Sequence, residues 1–205
     1  DTIANPDALS STNVQPATLI KSTTGTATVT FTTAATVNAN YKIQVTFGAG
    51  FDVTGVGSSD GTCSTMDGIF STAVSGQVIT MTRSTGTNET AAAESCTIAN
   101  VKNASATGTT GTYTIRILDN LSISRQEDTA VAADTIANPD ALTSTNVAPA
   151  NLGAGRISLV TVTFTTATTL ASDGKIKITF PAGFDVSGVN RAACSTMDGN
   201  FTPTV

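Results

Sequence analysis

The sequence predicts an all-β fold, an antiparallel sandwich present once in full and once in part. Three observations carry that expectation: apolar residues alternate with hydroxyl residues in short windows, no amphipathic helix longer than two turns can be drawn, and residues 134–205 replay residues 1–74. Threonine and valine at alternate positions suit a pleated surface with one buried face and one wet face. So long a repeat period means whole domains in tandem rather than a solenoid of short repeats.

Taken in order, the first window is Thr12–Leu19, carrying Val14 and Leu19 but interrupted by Pro16. Proline confines such a strand to a sheet edge or a bulge. In Thr26–Thr32, Ala27, Val29 and Phe31 alternate with threonines; in Lys42–Phe47, Ile43, Val45 and Phe47 share one face, and the copy of this window is Lys175–Phe180. Between the two windows lie Val37-Asn38-Ala39-Asn40 in one copy and Leu170 to Gly174 in the other. Asn and Asp-Gly joints supply the positive backbone angles of tight hairpins, so these strands are expected to be antiparallel neighbours. Gln77–Thr82, Cys96–Val101 and Thr112–Leu118 continue the style, giving about six to eight strands per repeat between Gly, Ser, Asn and Asp clusters. That is the pattern of an antiparallel sandwich.

The repeat sets the domain organisation. Asp1, Pro16 and Phe31 recur as Asp134, Pro149 and Phe164, and after a two-residue deletion Cys63 recurs as Cys194. The expected division is a complete domain at 1–133 and the N-terminal half of a second at 134–205, with the junction in the charged stretch 124–142. Val205 matches Val74, so nothing in the second copy corresponds to the later strands. Half a sandwich buries no core by itself. The expectation is therefore a segment of a longer chain, or strands supplied by another molecule, with Asp1–Leu19 as the candidate donor strand.

Composition excludes several roles. Charged residues make up 12% of the chain, the net charge is -5, and ten Lys and Arg give no basic stripe for nucleic acid. No run of eighteen apolar residues exists to span a membrane as a helix, and Asp1 is not preceded by a leader, which is expected to be removed or to lie outside this segment. With no histidine, neither a Ser-His-Asp relay nor an imidazole metal site can be assembled, and the chain reads as no enzyme.

Cys63 and Cys96 are the disulfide candidate, in keeping with a secreted composition, and Cys194 would pair with a counterpart of Cys96 that the second copy lacks. Weak N-glycosylation sequons begin at Asn88, Asn103, Asn120 and Asn200, the last followed by an unfavourable Pro203. Asp60 and Asp67 bracket Cys63 and are conceivable as an acid/base pair, although Gly-rich Asp loops are more often turns. Ca²⁺ needs only oxygens, which Asp52, Asp60, Asp67 and Asp119 could offer, but no EF-hand spacing is present; no other cofactor is implied. Lys42, retained as Lys175, is the best-placed lysine for an isopeptide crosslink, yet alternation puts it on the wet face beside Gln44 and Thr46. The threonine rows at 26, 28, 30, 32 and 161, 163, 165 are readable as a flat glycan- or ice-binding face, and more often as the soluble face of a sheet.

Val160–Ala167 followed by Asp173–Ser187, with the matching Ala27–Ala34 and Lys42–Val53 in the full copy, resembles the immunoglobulin-like repeats of large prokaryotic cell-surface proteins. Gly48 stands where the second copy has Pro181, and the 133-residue period is long for such domains, so extra strands or loops are expected within residues 54–110. The resemblance implies a surface-exposed tandem sandwich acting as a stalk, sheath, filament or adhesin, and carries over no catalytic residue. The expected function is structural, in an extracellular filament, sheath or surface layer, with copies of itself or adjacent repeats as partners. The alternative is an adhesin or stalk domain that binds a glycan through loops 54–76 and 83–93.

Overall fold

The computed structural model describes residues 5–170 and 174–205. Residues 1–4 of the expected donor segment and 171–173 of the expected second hairpin lie outside that range. The chain forms two compact units, Asp1–Asp140 and Ala141–Val205.

Among the described residues the first unit is entirely β. Its strands are β1 Asp7–Ala8, β2 Ser10–Pro16, β3 Thr24–Thr32, β4 Lys42–Thr46, β5 Gly61–Cys63, β6 Phe70–Ser75, β7 Val78–Arg83, β8 Ala93–Lys102, β9 Gly108–Thr109, β10 Tyr113–Leu118, β11 Ser124–Val131 and β12 Thr135–Ile136. Six of them form one sheet in the order β1-β11-β10-β4-β7-β6, and four form a second in the order β2-β3-β8-β5. The two sheets make a sandwich whose inner faces are the alternating apolar residues. Val14, Ala27, Val29, Phe31 and Ile98 come from the four-stranded sheet, and Ile43, Val45, Ile79, Met81, Ile115 and Ile117 from the six-stranded one, each at most 2% exposed. Removal of that much apolar surface from water is the main stabilising contribution. Phe47, Phe51 and Tyr113 close one end of the core, with ring centroids 5.4 to 5.9 Å apart.

Pro16 ends β2, which is an edge strand as its missing N–H requires. The β6–β7 hairpin turns at Gly76-Gln77, where Gly76 takes φ of 59°, the left-handed geometry of tight hairpins. The expected pairing of the two most clearly alternating strands is not what forms. β3 lies in the four-stranded sheet and β4 in the six-stranded one, so residues 33–41 are an arch between sheets and not a hairpin. Val37 is 1% exposed inside that arch. Its backbone exchanges two 2.9 Å hydrogen bonds with Glu89, and the buried Gln126 side chain accepts from Ala34 N at 2.7 Å and donates to Ala35 O at 3.1 Å. An arch with its polar groups so satisfied need not pair its flanking strands.

Within the charged stretch 124–142, Ser124–Val131 forms β11, hydrogen-bonded between β1 and β10, and the two units divide after Asp140. The fold of the first unit extends to residues that open the second copy: β12 pairs with β9, Ile136 is 2% exposed, and Tyr113 Oη donates to Asp134 Oδ2 at 2.9 Å. The expected donor segment is seated within its own unit, β1 parallel to β11 and β2 antiparallel to β3.

In the second unit, β13 Thr143–Pro149 pairs with β14 Val160–Thr165. The register copies that of β2 and β3 residue for residue: Asn146 faces Thr163 as Asn13 faces Thr30, and Pro149 faces Val160 as Pro16 faces Ala27. Even the bulge recurs, with Ser144 at φ 51° and Ser11 at 49°. The expected strand Lys175–Phe180 is not formed. Its counterpart β4 is held between β10 and β7, and the second copy in this sequence contains no equivalent of either. Ile176, Ile178 and Phe184 are accordingly 38%, 42% and 52% exposed, where Ile43, Val45 and Phe51 are buried.

Candidate functional site

The chemistry-bearing side chains of the first unit gather on the loops between strands, and most are consumed by the turns they make. Cys63 and Cys96 face each other directly across the β5–β8 pairing and form a disulfide. A polar network forms around Arg83. Arg83, at the end of β7, is 1% exposed because position 83 continues the inward parity of Ile79 and Met81. Its guanidinium Nε donates to Asp67 O at 2.7 Å, and Nη2 donates to the Asp67 carboxylate and, at 3.2 Å, to Glu89 Oε1. The Thr87 N–H donates to both Asp67 oxygens, at 3.0 and 3.1 Å. Loops 54–76 and 83–93, the expected ligand-binding loops, are thereby tied to one another by Arg83. Those hydrogen bonds, the Thr87 N–H foremost and Arg83 with it, hold the Asp67 carboxyl below the usual range.

The other acidic candidates are hubs of separate turns. Asp60 accepts from Asn100 Nδ2 at 2.8 Å and Gly57 N at 2.6 Å, in that order the causes that lower its pKa. Asp52 accepts from Thr54 Oγ1 at 2.6 Å and Thr54 N at 3.1 Å, with Lys102 Nζ 3.7 Å away, and is lowered likewise. Asp185 repeats that turn in the second unit, accepting from Ser187 N and Oγ. Asp119 is lowered by the Ile123 N–H and by Arg125, and it braces the β10–β11 turn. Asp60 and Asp67 are held by different partners, Asn100 and Gly57 for the first and Arg83 and Thr87 for the second. Among the described residues no group of three or more His, Cys, Asp or Glu is placed to hold a metal, and Asp52, Asp60, Asp67 and Asp119 are not brought together for Ca²⁺.

These carboxylates make a pH dependence. Each has a folded pKa below its ordinary value, so its contribution is fully present above that value, about 3.9 for Asp, and is lost as pH falls through the folded pKa. The urea midpoint is expected to stay level between pH 7 and 5 and to fall steeply below about 4. A midpoint unchanged down to pH 2.5 would remove these groups from the stabilising account.

The remaining candidates are placed as follows. Asn88 and Asn120 are exposed on loops and Asn200 is exposed in the second unit. Asn103 is 3% exposed, and the amide nitrogen that would carry a glycan donates instead to Thr18 O and Ile20 O, at 2.6 and 2.9 Å. Lys42 is on the wet face, its Nζ donating to Ser122 Oγ at 2.8 Å, with no carboxamide engaged for a crosslink. The threonine row of β3 continues across the sheet through Thr97 to Thr62, whose hydroxyls are 3.1 Å apart. Cys194 is a free thiol. Sequence reasoning missed Arg83, for which the parity of β7 was the available signal, and missed a polar groove on the outer face of the six-stranded sheet.

No protein-family profile matches the sequence, and no curated protein matches it. Among solved structures, the crystal structure of BslA, a bacterial hydrophobin, aligns over 64% of this chain and 98% of that chain at 16% identity, with a TM-score of 0.35.

Proposed function

We propose that this chain is a non-catalytic structural repeat of an extracellular filament, sheath or surface layer, built from tandem immunoglobulin-like sandwiches. The observation that carries this reading is the duplication of one scaffold down to its register: β13–β14 and β2–β3 pair the same residues and carry the same bulge. A role residing in the scaffold calls for copies of the scaffold. A catalytic role calls for convergent polar groups, whereas Asp52, Asp60, Asp67 and Asp119 each serve a different turn. The Cys63–Cys96 disulfide supports an oxidising compartment outside the cell.

Partners are then copies of the chain or adjacent repeats. A strand other than the expected donor, Asp1–Leu19, fits this reading better, because β13 already lies beside β14. The free edge of β14 corresponds to the edge of β3 that β8 covers, so a β8-like strand is the complement. Head-to-tail contacts of that kind do not close and propagate as fibres. The alternative, an adhesin using loops 54–76 and 83–93, has less support, since the polar groups of those loops are turned on one another through Arg83.

Negative-stain electron microscopy of the native material, with the intact mass taken under non-reducing conditions, tests this reading. Filaments, sheets or beaded rods are expected. Dispersed compact particles at every concentration would overturn it.

A further inference from the structure

The outer face of the six-stranded sheet is not uniformly flat. Where β11, β10, β4 and β7 run side by side, it holds a shallow, open, mostly polar groove of about 500 Å³. Register brings its groups together: Arg116 lies opposite Gln44 and beside Glu127, and Lys42 lies between Leu118 and Thr82. Leu118 is only 6% exposed although it shares the outward parity of Arg116, and it gives the groove an apolar floor. Around that floor stand hydroxyls, an amide, two cations and the Glu127 carboxylate.

The cations are the unusual part. The first unit has six cationic side chains, Lys21, Lys42, Arg83, Lys102, Arg116 and Arg125. Arg83, Lys102 and Arg125 are spent on Asp67, Asp52 and Asp119. Among the described residues Lys42 has no carboxylate partner and is steered by the Ser122 hydroxyl alone. Arg116 meets Glu127 through Nε at 2.9 Å, an arrangement that fixes the guanidinium plane and leaves the Nη edge to donate. The Gln44 amide donates to Thr80 Oγ1 at 3.3 Å, which leaves its oxygen to accept. In a chain of net charge -5, the second copy keeps one cation of this segment, Lys175 for Lys42, and has Lys177 where the first copy has Gln44.

We propose that this groove binds an acidic saccharide of the uronic-acid class, its carboxylate received by Lys42 and Arg116, its hydroxyls by Gln44, Thr80 and Thr82, and its apolar ring face by Leu118. A carboxylate suits paired cations, and charge-assisted bonds from a planar guanidinium orient it. Vicinal sugar hydroxyls suit alternating donors and acceptors over an apolar floor. This role is independent of the scaffold role and adds a ligand to it.

The test uses the full chain, a trimer of galacturonic acid, and the methyl ester of the same trimer, followed by chemical-shift changes of backbone amides. Shifts are expected at Lys42, Gln44 and Arg116, with at least roughly tenfold weaker binding of the ester, the loss expected for a charge-assisted hydrogen bond. The double substitution Lys42→Gln, Arg116→Gln is expected to weaken trimer binding by a similar factor or more, with an unchanged melting temperature. Should that variant misfold, Thr82→Tyr fills the groove while both cations remain, and it is expected to block binding. The proposal is overturned if the trimer gives no shifts at millimolar concentration, if the ester binds equally, or if binding survives both variants.

Discussion

Replacing Cys63 and Cys96 together by alanine is expected to lower the stability of the first unit by about 3 to 4 kcal/mol, and its melting temperature by on the order of 10 °C. The bond closes a loop between cysteines separated by 33 positions, and loop-closure entropy in the unfolded chain gives that magnitude. A local consequence adds to it. β5 is three residues long, lies at the edge of its sheet, and has β8 as its sheet partner. Without the bond, the segment between β4 and β6 is held by that short pairing, by the turns at Asp52 and Asp60, by Arg83 on Asp67, and by the buried Phe51, Val53, Val56 and Met66. Calorimetry of oxidised and reduced protein, both carrying Cys194→Ser, isolates the effect from the free thiol. A loss below about 1 kcal/mol would mean that the pairing alone fixes β5.

A second large effect is expected on completing the half repeat. Val205 corresponds to Val74, so a chain extended after Val205 by a copy of residues 75–140 supplies counterparts of β7, β8, β10, β11 and β12. In the first unit these strands bury Ile43, Val45 and Phe51, and Cys96 meets Cys63. The extended chain is expected to oxidise Cys194 onto the added cysteine and to abolish its reaction with thiol reagents. It is also expected to lose most binding of an apolar dye, as Ile176, Ile178 and Phe184 become covered. A thiol that stays titratable, with dye binding unchanged, would show that residues 141–205 do not replay the first unit in space.

Much of this architecture was legible in the sequence, and the failures have physical causes. β3, β4, β7 and β10 declare themselves because each puts apolar side chains inward at alternate residues, and β8 does so over Cys96 and Ile98. Alternation reveals which face of a strand is buried, and does not reveal in which sheet the strand lies. Two strands facing each other across the core carry the same pattern as two strands side by side. The Asn-rich segment before β4 thus read as a hairpin while it forms an arch. β11 escaped notice because its inward positions include Gln126, a polar residue whose partners Ala34 and Ala35 lie about 90 positions away. Arg83 escaped for a similar reason: an arginine at a strand end reads as solvated until Asp67 and Glu89 are seen to fold over it. The groove is a product of register, which sets Arg116 beside Gln44 and Thr82 beside Lys42, and no local pattern encodes it.

The residues that begin the second copy, Asp134 to Ala137, complete the first fold: Ile136 is buried there, Asp134 accepts from Tyr113, and the Ala137 N–H donates to Leu19 O at 2.8 Å. The period written in the gene and the period of folding are therefore out of phase by several residues. An exchange between equivalent points of two copies leaves every unit with its closing segment, because the next copy brings the same DTIA with it. A cut placed at the apparent boundary of the repeat strips the preceding unit of its last strand. During synthesis the first unit is therefore finished only when the opening residues of the second copy have emerged.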